Sequence, residues 1–172
     1  MRKTLLIVSA VFAASLCMAQ PNTEPSDEIK KFDWMVGEWV SSSVWNIDGM
    51  EMPVETKVLA VWDGQFLRHT TVSDFGMMEM TETMMFGYDA KNKWYFSSAY
   101  TNMAPMPRVE YGRLVGSTLV MISDPWEIMG DVSVSRATIV KVSDDEYTFT
   151  LEFKEGGSWT LINESTFKRV EK

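Results

Sequence analysis

The segment EYTFTLEFK (146–154), the turn Glu155-Gly156-Gly157 and the segment SWTLINESTFKR (158–169) decide how this chain folds. Side chains of a strand alternate between two faces, so residues two apart share one. Tyr147, Phe149, Leu151 and Phe153 therefore share a face, with Thr148, Thr150, Glu152 and Lys154 opposite. In the second segment Trp159, Leu161, Asn163, Ser165, Phe167 and Arg169 fall together, opposite Thr160, Ile162, Glu164, Thr166 and Lys168. A glycine turn between two such segments makes an antiparallel hairpin. Its aromatic face is expected to point into a core, with Arg169 ending the inner row.

The same period runs back along the chain. Ten strands are predicted: 36–48, 54–63, 65–73, 79–88, 93–101, 108–115, 117–123, 131–142, 146–154 and 158–169. Short turns rich in Gly, Asn and Asp separate most of them, including Asp63-Gly64, Asp89 to Asn92, Gly116 and Asp144-Asp145. Successive hairpins form a meander, and a sheet this long escapes exposed edges by curling shut. The expectation is an all-β, antiparallel up-and-down barrel with an interior cavity, favoured over a two-sheet sandwich. The links Asn102 to Pro107 and Asp124 to Gly130 are expected at its mouth. Pro21 to Pro25 reads as an extended leader, and Ser26 to Phe32 as a short helix.

The first residues read differently. Arg2 and Lys3 precede an apolar run from Leu5 to Leu16, and Cys17-Met18-Ala19 places small residues ahead of a cut before Gln20. That order predicts a secretory signal peptide over 1–19, a leader and helix over 20–33, and a barrel over 34–172. The expected compartment is the periplasm or the outside. A lipid-bearing Cys17 calls for a small residue before it, and Leu16 stands there. The apolar run is too short to span a bilayer.

Composition narrows the functions. With 16 Lys+Arg against 24 Asp+Glu and a net charge of −8, binding of nucleic acid phosphates is disfavoured. Cleavage after Ala19 removes the single Cys, so neither a disulfide nor a cysteine nucleophile is expected. The single His, His69, excludes a multi-histidine zinc site and leaves a hydrolytic triad with one candidate base. Asp144-Asp145-Glu146 lacks the alternating ligands and central glycine of a calcium loop.

Phe32-Asp33-Trp34-Met35-Val36-Gly37-Glu38-Trp39 sets a Gly-x-Trp at the start of the first strand, and Arg169 closes the last. This resembles the lipocalin and fatty-acid-binding barrels, the calycin group. A closer likeness, to the lipocalin-like family called domain of unknown function 1579, is carried by four elements. They are Gly37-x-Trp39, Asp63-Gly64-Gln65-Phe66-Leu67, Gly87-Tyr88-Asp89 followed by Lys93, and Glu164-Ser165-Thr166-Phe167-Lys168-Arg169. The resemblance implies that Gly37, Trp39 and Arg169 close one end of the barrel, the guanidinium lying across the indole. It implies no activity and no cofactor. Haem-binding nitrobindin-like barrels share the Gly-x-Trp but draw a haem-ligating His from near the C-terminus, and no residue after His69 is His.

The inner-face phases assign a candidate ligand site. Arg68 is in phase with Phe66 and Val72, Glu82 with Met80 and Met84, Tyr111 and Arg113 with Val109 and Val115, and Arg136 with Val132, Val134 and Val140. Interior charges need partners, so Arg68 and Arg136 are expected to anchor an anionic end of a largely apolar ligand. Glu82 and Tyr111 are their expected partners, and Trp45, Phe96, Phe149 and Trp159 form the apolar wall. The expected function is non-catalytic ligand binding. Two alternatives stand beside it: a hydrolase- or isomerase-like enzyme using Glu82 with Tyr111 as an acid/base pair, and a secreted interaction domain whose barrel is filled by its own side chains. Met77, Met78 and Met80 carry a lesser alternative, soft thioether ligation of copper. His69, adjacent to Arg68, is expected on the outer face.

Overall fold

Alternating side chains close a barrel only if the last strand can pair with the first. In the computed structural model, which describes residues 23–171 except 48 and 129, they do. The strands are β1 (Gly37–Ile47), β2 (Met50–Asp63), β3 (Phe66–Asp74), β4 (Glu79–Asp89), β5 (Trp94–Thr101), β6 (Arg108–Val115), β7 (Thr118–Ser123), β8 (Trp126–Ile128), β9 (Asp131–Ser133), β10 (Ser135–Lys141), β11 (Glu146–Glu155) and β12 (Ser158–Arg169). Ten of them form a closed antiparallel barrel in the order β1-β12-β11-β10-β7-β6-β5-β4-β3-β2, with β2 returning to β1. Trp39 lies opposite Arg169, and Trp45 opposite Asn163, across the closing seam. The expected signal peptide over 1–19, with Cys17, lies outside the described residues. No helix among the described residues is long and apolar enough to cross a membrane.

Two expected elements differ. The segment expected as one strand over 131–142 is divided: β10 joins the barrel, while β9 pairs with β8 in a separate two-stranded hairpin. The link Asp124 to Gly130 therefore carries a strand of its own, because alternation identifies a strand without naming its partner. The final hairpin holds a β-bulge as well. Leu151 pairs with Asn163 but Glu152 pairs with Leu161, so Ile162 has no opposite number. One extra residue reverses the side-chain phase. Asn163, Ser165 and Phe167 face inward as expected, whereas Leu161 and Trp159 turn out.

One end is plugged from the N-terminal side. Ser26 caps α1 (Asp27–Lys30), accepting a hydrogen bond from the Ile29 amide, and a 3-10 turn follows at Asp33–Met35. Ile29, Phe32 and Met35 are buried against Leu67, Phe86 and Tyr95, with the Phe32 ring edge-on to Phe86 at 4.9 Å and to Tyr95 at 5.1 Å. Trp39 is buried and its indole N–H donates to the Met35 carbonyl at 2.7 Å. The Arg169 guanidinium lies 4.2 Å from the centre of that indole. It donates to the carbonyls of Val36 (2.8 Å), Trp34 (2.6 Å) and Asp144 (2.7 Å), tying the approach to β1 onto the β10–β11 turn. Gly37 is required there: its φ is +132°, and a Cβ would stand 2.6 Å from Arg169 Nη1. Gly37→Ala is expected to lower stability by roughly 1–3 kcal/mol through backbone strain and displacement of the guanidinium. Urea unfolding of the variant measures this, and an unchanged midpoint would contradict the closure described.

Candidate ligand cavity

Within the barrel is a cavity of about 130 Å³. Met35, Leu119, Met121 and Phe167 line it toward the plug, and Trp45, Met80, Ile128 and Phe153 line it further along. Between these groups β5 presents small inner side chains. Ser97 and Ala99 are buried, and their neighbours in register are Glu110 and Arg108 on β6 and Met84 on β4. Longer side chains from β4 and β6 therefore meet across β5. Arg108 Nη1 is 3.2 Å from Glu82 Oε2, and its Nη2 donates to Glu82 Oε1 at 3.4 Å. Arg108 Nε sits 3.1 Å from Glu110 Oε1, an ion pair off the hydrogen-bond axis. Ser97 Oγ donates to Glu110 Oε2 at 2.8 Å, and Ser135 Oγ to its Oε1 at 3.5 Å. Trp126, from the β8–β9 hairpin, places its ring 5.1 Å from the same guanidinium.

The cluster holds one cation and two carboxylates. Burial alone pulls the Arg108 guanidinium pKa down, but the carboxylates of Glu110 and Glu82 more than reverse this and hold it above the ordinary arginine value. His69 also lines the cavity. It is buried, its Nε2 meets no protein partner among the described residues, and burial pushes its pKa down to about 4. The imidazole is therefore neutral at neutral pH and supplies no second cation.

Of the residues assigned to the site from sequence, Glu82, Trp45 and Phe149 line the cavity. Trp45 packs edge-on to Phe75 at 5.4 Å. Five do not. Arg68 is on the outer face 3.3 Å from Asp63, because the inner row of β3 is Leu67, His69, Thr71 and Ser73. His69, expected outside, is consequently inside. Tyr111 lies on the outer surface against Trp94, with ring centres 5.1 Å apart, so the proposed Glu82 and Tyr111 acid/base pair is split by the barrel wall. Phe96 is also outside, packed on Phe66 over Gly87, where a Cβ would come within 2.6 Å of the Phe96 ring. Arg136 is held by both carboxylate oxygens of Glu152 (2.5 and 2.6 Å) and lies 4.6 Å from the Trp159 ring that the bulge turned out. The two arginines expected to anchor an anion thus face away from the cavity.

The sequence reading missed Arg108, Glu110, Ser97 and His69. On β6 the row Val109, Tyr111, Arg113, Val115 carries one charge and the row Arg108, Glu110, Gly112, Leu114 carries two, so hydropathy selects the wrong face. Gly112 marks the true inner row, since a Cβ there would stand 2.5 Å from Met121 Sδ and 2.0 Å from the Val120 carbonyl oxygen. That crowding is visible only once β7 is in place. The methionines divide too: Met77 is 98% exposed and Met78 is exposed, whereas Met80 and Met84 line the cavity, so the three thioethers considered for copper share no face. The outer pair Arg136 and Glu152 is expected to contribute at most about 1 kcal/mol. Arg136→Ala should leave uptake into the cavity unchanged, as measured by toluene titration, and a loss of uptake would put this side chain back in the site.

Residues 24–169 match the family described as a protein of unknown function, DUF1579. Among solved structures, Rv2717c from M. tuberculosis is similar with a TM-score of 0.65 at 11% identity, over 86% of this chain and 100% of that one. The S-type phycobiliprotein lyase CPES from Guillardia theta is similar with a TM-score of 0.60 at 13% identity, over 83% of this chain and 92% of that one. At these identities the likeness is one of fold, the lipocalin-like barrel. No curated protein matches the chain.

Proposed function

This chain belongs to the DUF1579 family, and we propose that it is an exported, non-catalytic binding protein whose barrel takes up a small, largely apolar molecule. The observation that carries the reading is the cavity itself: about 130 Å³ of space inside a closed, plugged barrel, walled mostly by apolar side chains. An apolar cavity of roughly 150 Å³ admits benzene, whereas drug-sized ligands occupy about 300–1,000 Å³. The guest is accordingly about one ring in size. Burying about 150 Å² of ring surface at ~25 cal/mol per Å² gains ~4 kcal/mol. Apolar contact alone therefore supports a Kd near ~1 mM, and any tighter binding comes from the polar groups.

Export rests on the pattern of Met1 to Ala19, with the leader over 20–33 and the barrel over 34–172. The wall between Glu82 and Tyr111 removes the acid/base pair on which the enzymatic alternative rested. An anionic end on the guest loses its basis with the outward turn of Arg68 and Arg136.

Ala137 lines the cavity between Met121 and Leu151 in register. Ala137→Phe fills that space with a ring. Toluene affinity, followed by calorimetry, should fall at least tenfold while thermal unfolding stays cooperative. Equal toluene affinity in the two chains would place the guest elsewhere and overturn the proposal.

A further inference from the structure

Resting on the carrier reading, we infer that the guest bears a cationic end, a protonated amine, seated against Glu82 beside the Arg108 and Glu110 pair. Among the described residues that line the cavity, Arg108 is the single cation, and it faces two carboxylates. With His69 counted as neutral, the charged side chains among these described lining residues, Arg108, Glu82 and Glu110, sum to a formal −1. A net charge enclosed by apolar walls is costly unless a partner neutralises it, and a monocation does so with one contact.

The geometry also selects which carboxylate. Glu110 is enclosed, at 3% side-chain exposure, and is held by Ser97, Ser135 and Arg108. Glu82 keeps 16% of its side-chain surface accessible and meets Arg108 alone among these groups. It is the acceptor within reach of a guest. Arg108 has no comparable freedom: both terminal nitrogens are turned to Glu82, Nε to Glu110, and its face lies near Trp126. A carboxylate guest would meet a guanidinium already flanked by two carboxylates and would bring a third like charge to the cluster. Trp45, Phe149 and Phe153 add aromatic rings to the wall, and the negative face of an aromatic ring attracts an ammonium.

Three one-ring probes of matched size, benzylamine, toluene and sodium benzoate, separate the possibilities when titrated calorimetrically into the protein at pH 7. Benzylamine, charged at that pH, should bind at least tenfold more tightly than toluene, and benzoate more weakly than either. In Glu82→Gln the advantage of benzylamine over toluene should vanish, while cooperative thermal unfolding shows that the remaining one-to-one pair of Arg108 with Glu110 sustains the fold. Toluene binding without an amine preference, benzoate binding as tightly as benzylamine, or an amine preference that survives Glu82→Gln would each overturn the inference and leave the carrier reading standing. Failure of all three probes to bind would overturn both. Should the variant not fold, the ratio of the three affinities in the unaltered protein decides.

Discussion

Replacing Arg108 with methionine lowers the free energy of unfolding by about 3–5 kcal/mol at neutral pH. The guanidinium is enclosed between Glu82 and Glu110, which sit on different strands and meet only through it. Its removal leaves two carboxylates without their counter-charge in a largely apolar interior, Glu110 enclosed and Glu82 only partly accessible. The loss belongs to the orphaned charges rather than to the missing side chain, and a second variant separates the two. Arg108→Met combined with Glu82→Gln and Glu110→Gln removes every charge from the cluster and should regain most of the lost stability. Buried ionic groups as a set are often no better than neutral replacements, whereas breaking one is severe. Urea unfolding of the single and triple variants measures both numbers. A single variant within about 1 kcal/mol of the unaltered protein would show that the cluster is hydrated and not enclosed.

The second large effect is a pH dependence that belongs to His69. Burial pushes its pKa from an ordinary 6.5 down to about 4 in the folded state. Between those values the unfolded chain binds a proton that the folded one refuses, so stability falls as pH drops from about 6.5 toward 4 and levels off below. The shift corresponds to about 3 kcal/mol. The carboxylates of Glu28, Asp89, Asp144 and Glu152 are held below their ordinary values, first by hydrogen bonds from Lys31, Asn92, Lys141 and Arg136 respectively. They also lose their stabilising effect on acidification, but equally in a chain without the imidazole. The decisive quantity is therefore a difference of slopes. Between pH 7 and pH 4 the unaltered protein should lose about 3 kcal/mol more than His69→Gln, whatever the absolute stability of the variant. Parallel stability curves for the two chains would mean that the imidazole has solvent or a partner and does not sit bare in the wall.

Much of the architecture was legible because hairpin turns and period-two alternation are local signals. Each barrel strand has its counterpart in the sequence reading, and Gly37, Trp39 and Arg169 stand out as a motif. What alternation does not carry is the choice of face when neither side of a strand is plainly wet. This barrel wears apolar rings outside: across β4 to β7 the outer pairs run Gly87 with Phe96, Phe96 with Tyr111, and Tyr111 with Ile122. Its interior meanwhile includes His69, Ser73, Ser97 and Glu110. Hydropathy therefore inverted β3, β5 and β6 and missed Arg108. Trp159 went astray for a different reason, a single unpaired residue at Ile162 that no composition signal marks. Glu82 was placed correctly, but its partner comes from two strands away across the small side chains of β5, a relation that exists only in the register of the closed sheet.

The methionines supply the most direct test, because they report from both sides of the wall. Met35, Met80, Met84 and Met121 line the cavity, and Met50, Met77 and Met106 are exposed on the surface. With methionine methyls labelled with carbon-13 and toluene titrated into the protein, the signals of the first group should shift together and saturably while those of the second stay in place. Unmoved interior methyls, or shifts confined to the exposed ones, would mean that the barrel admits no guest.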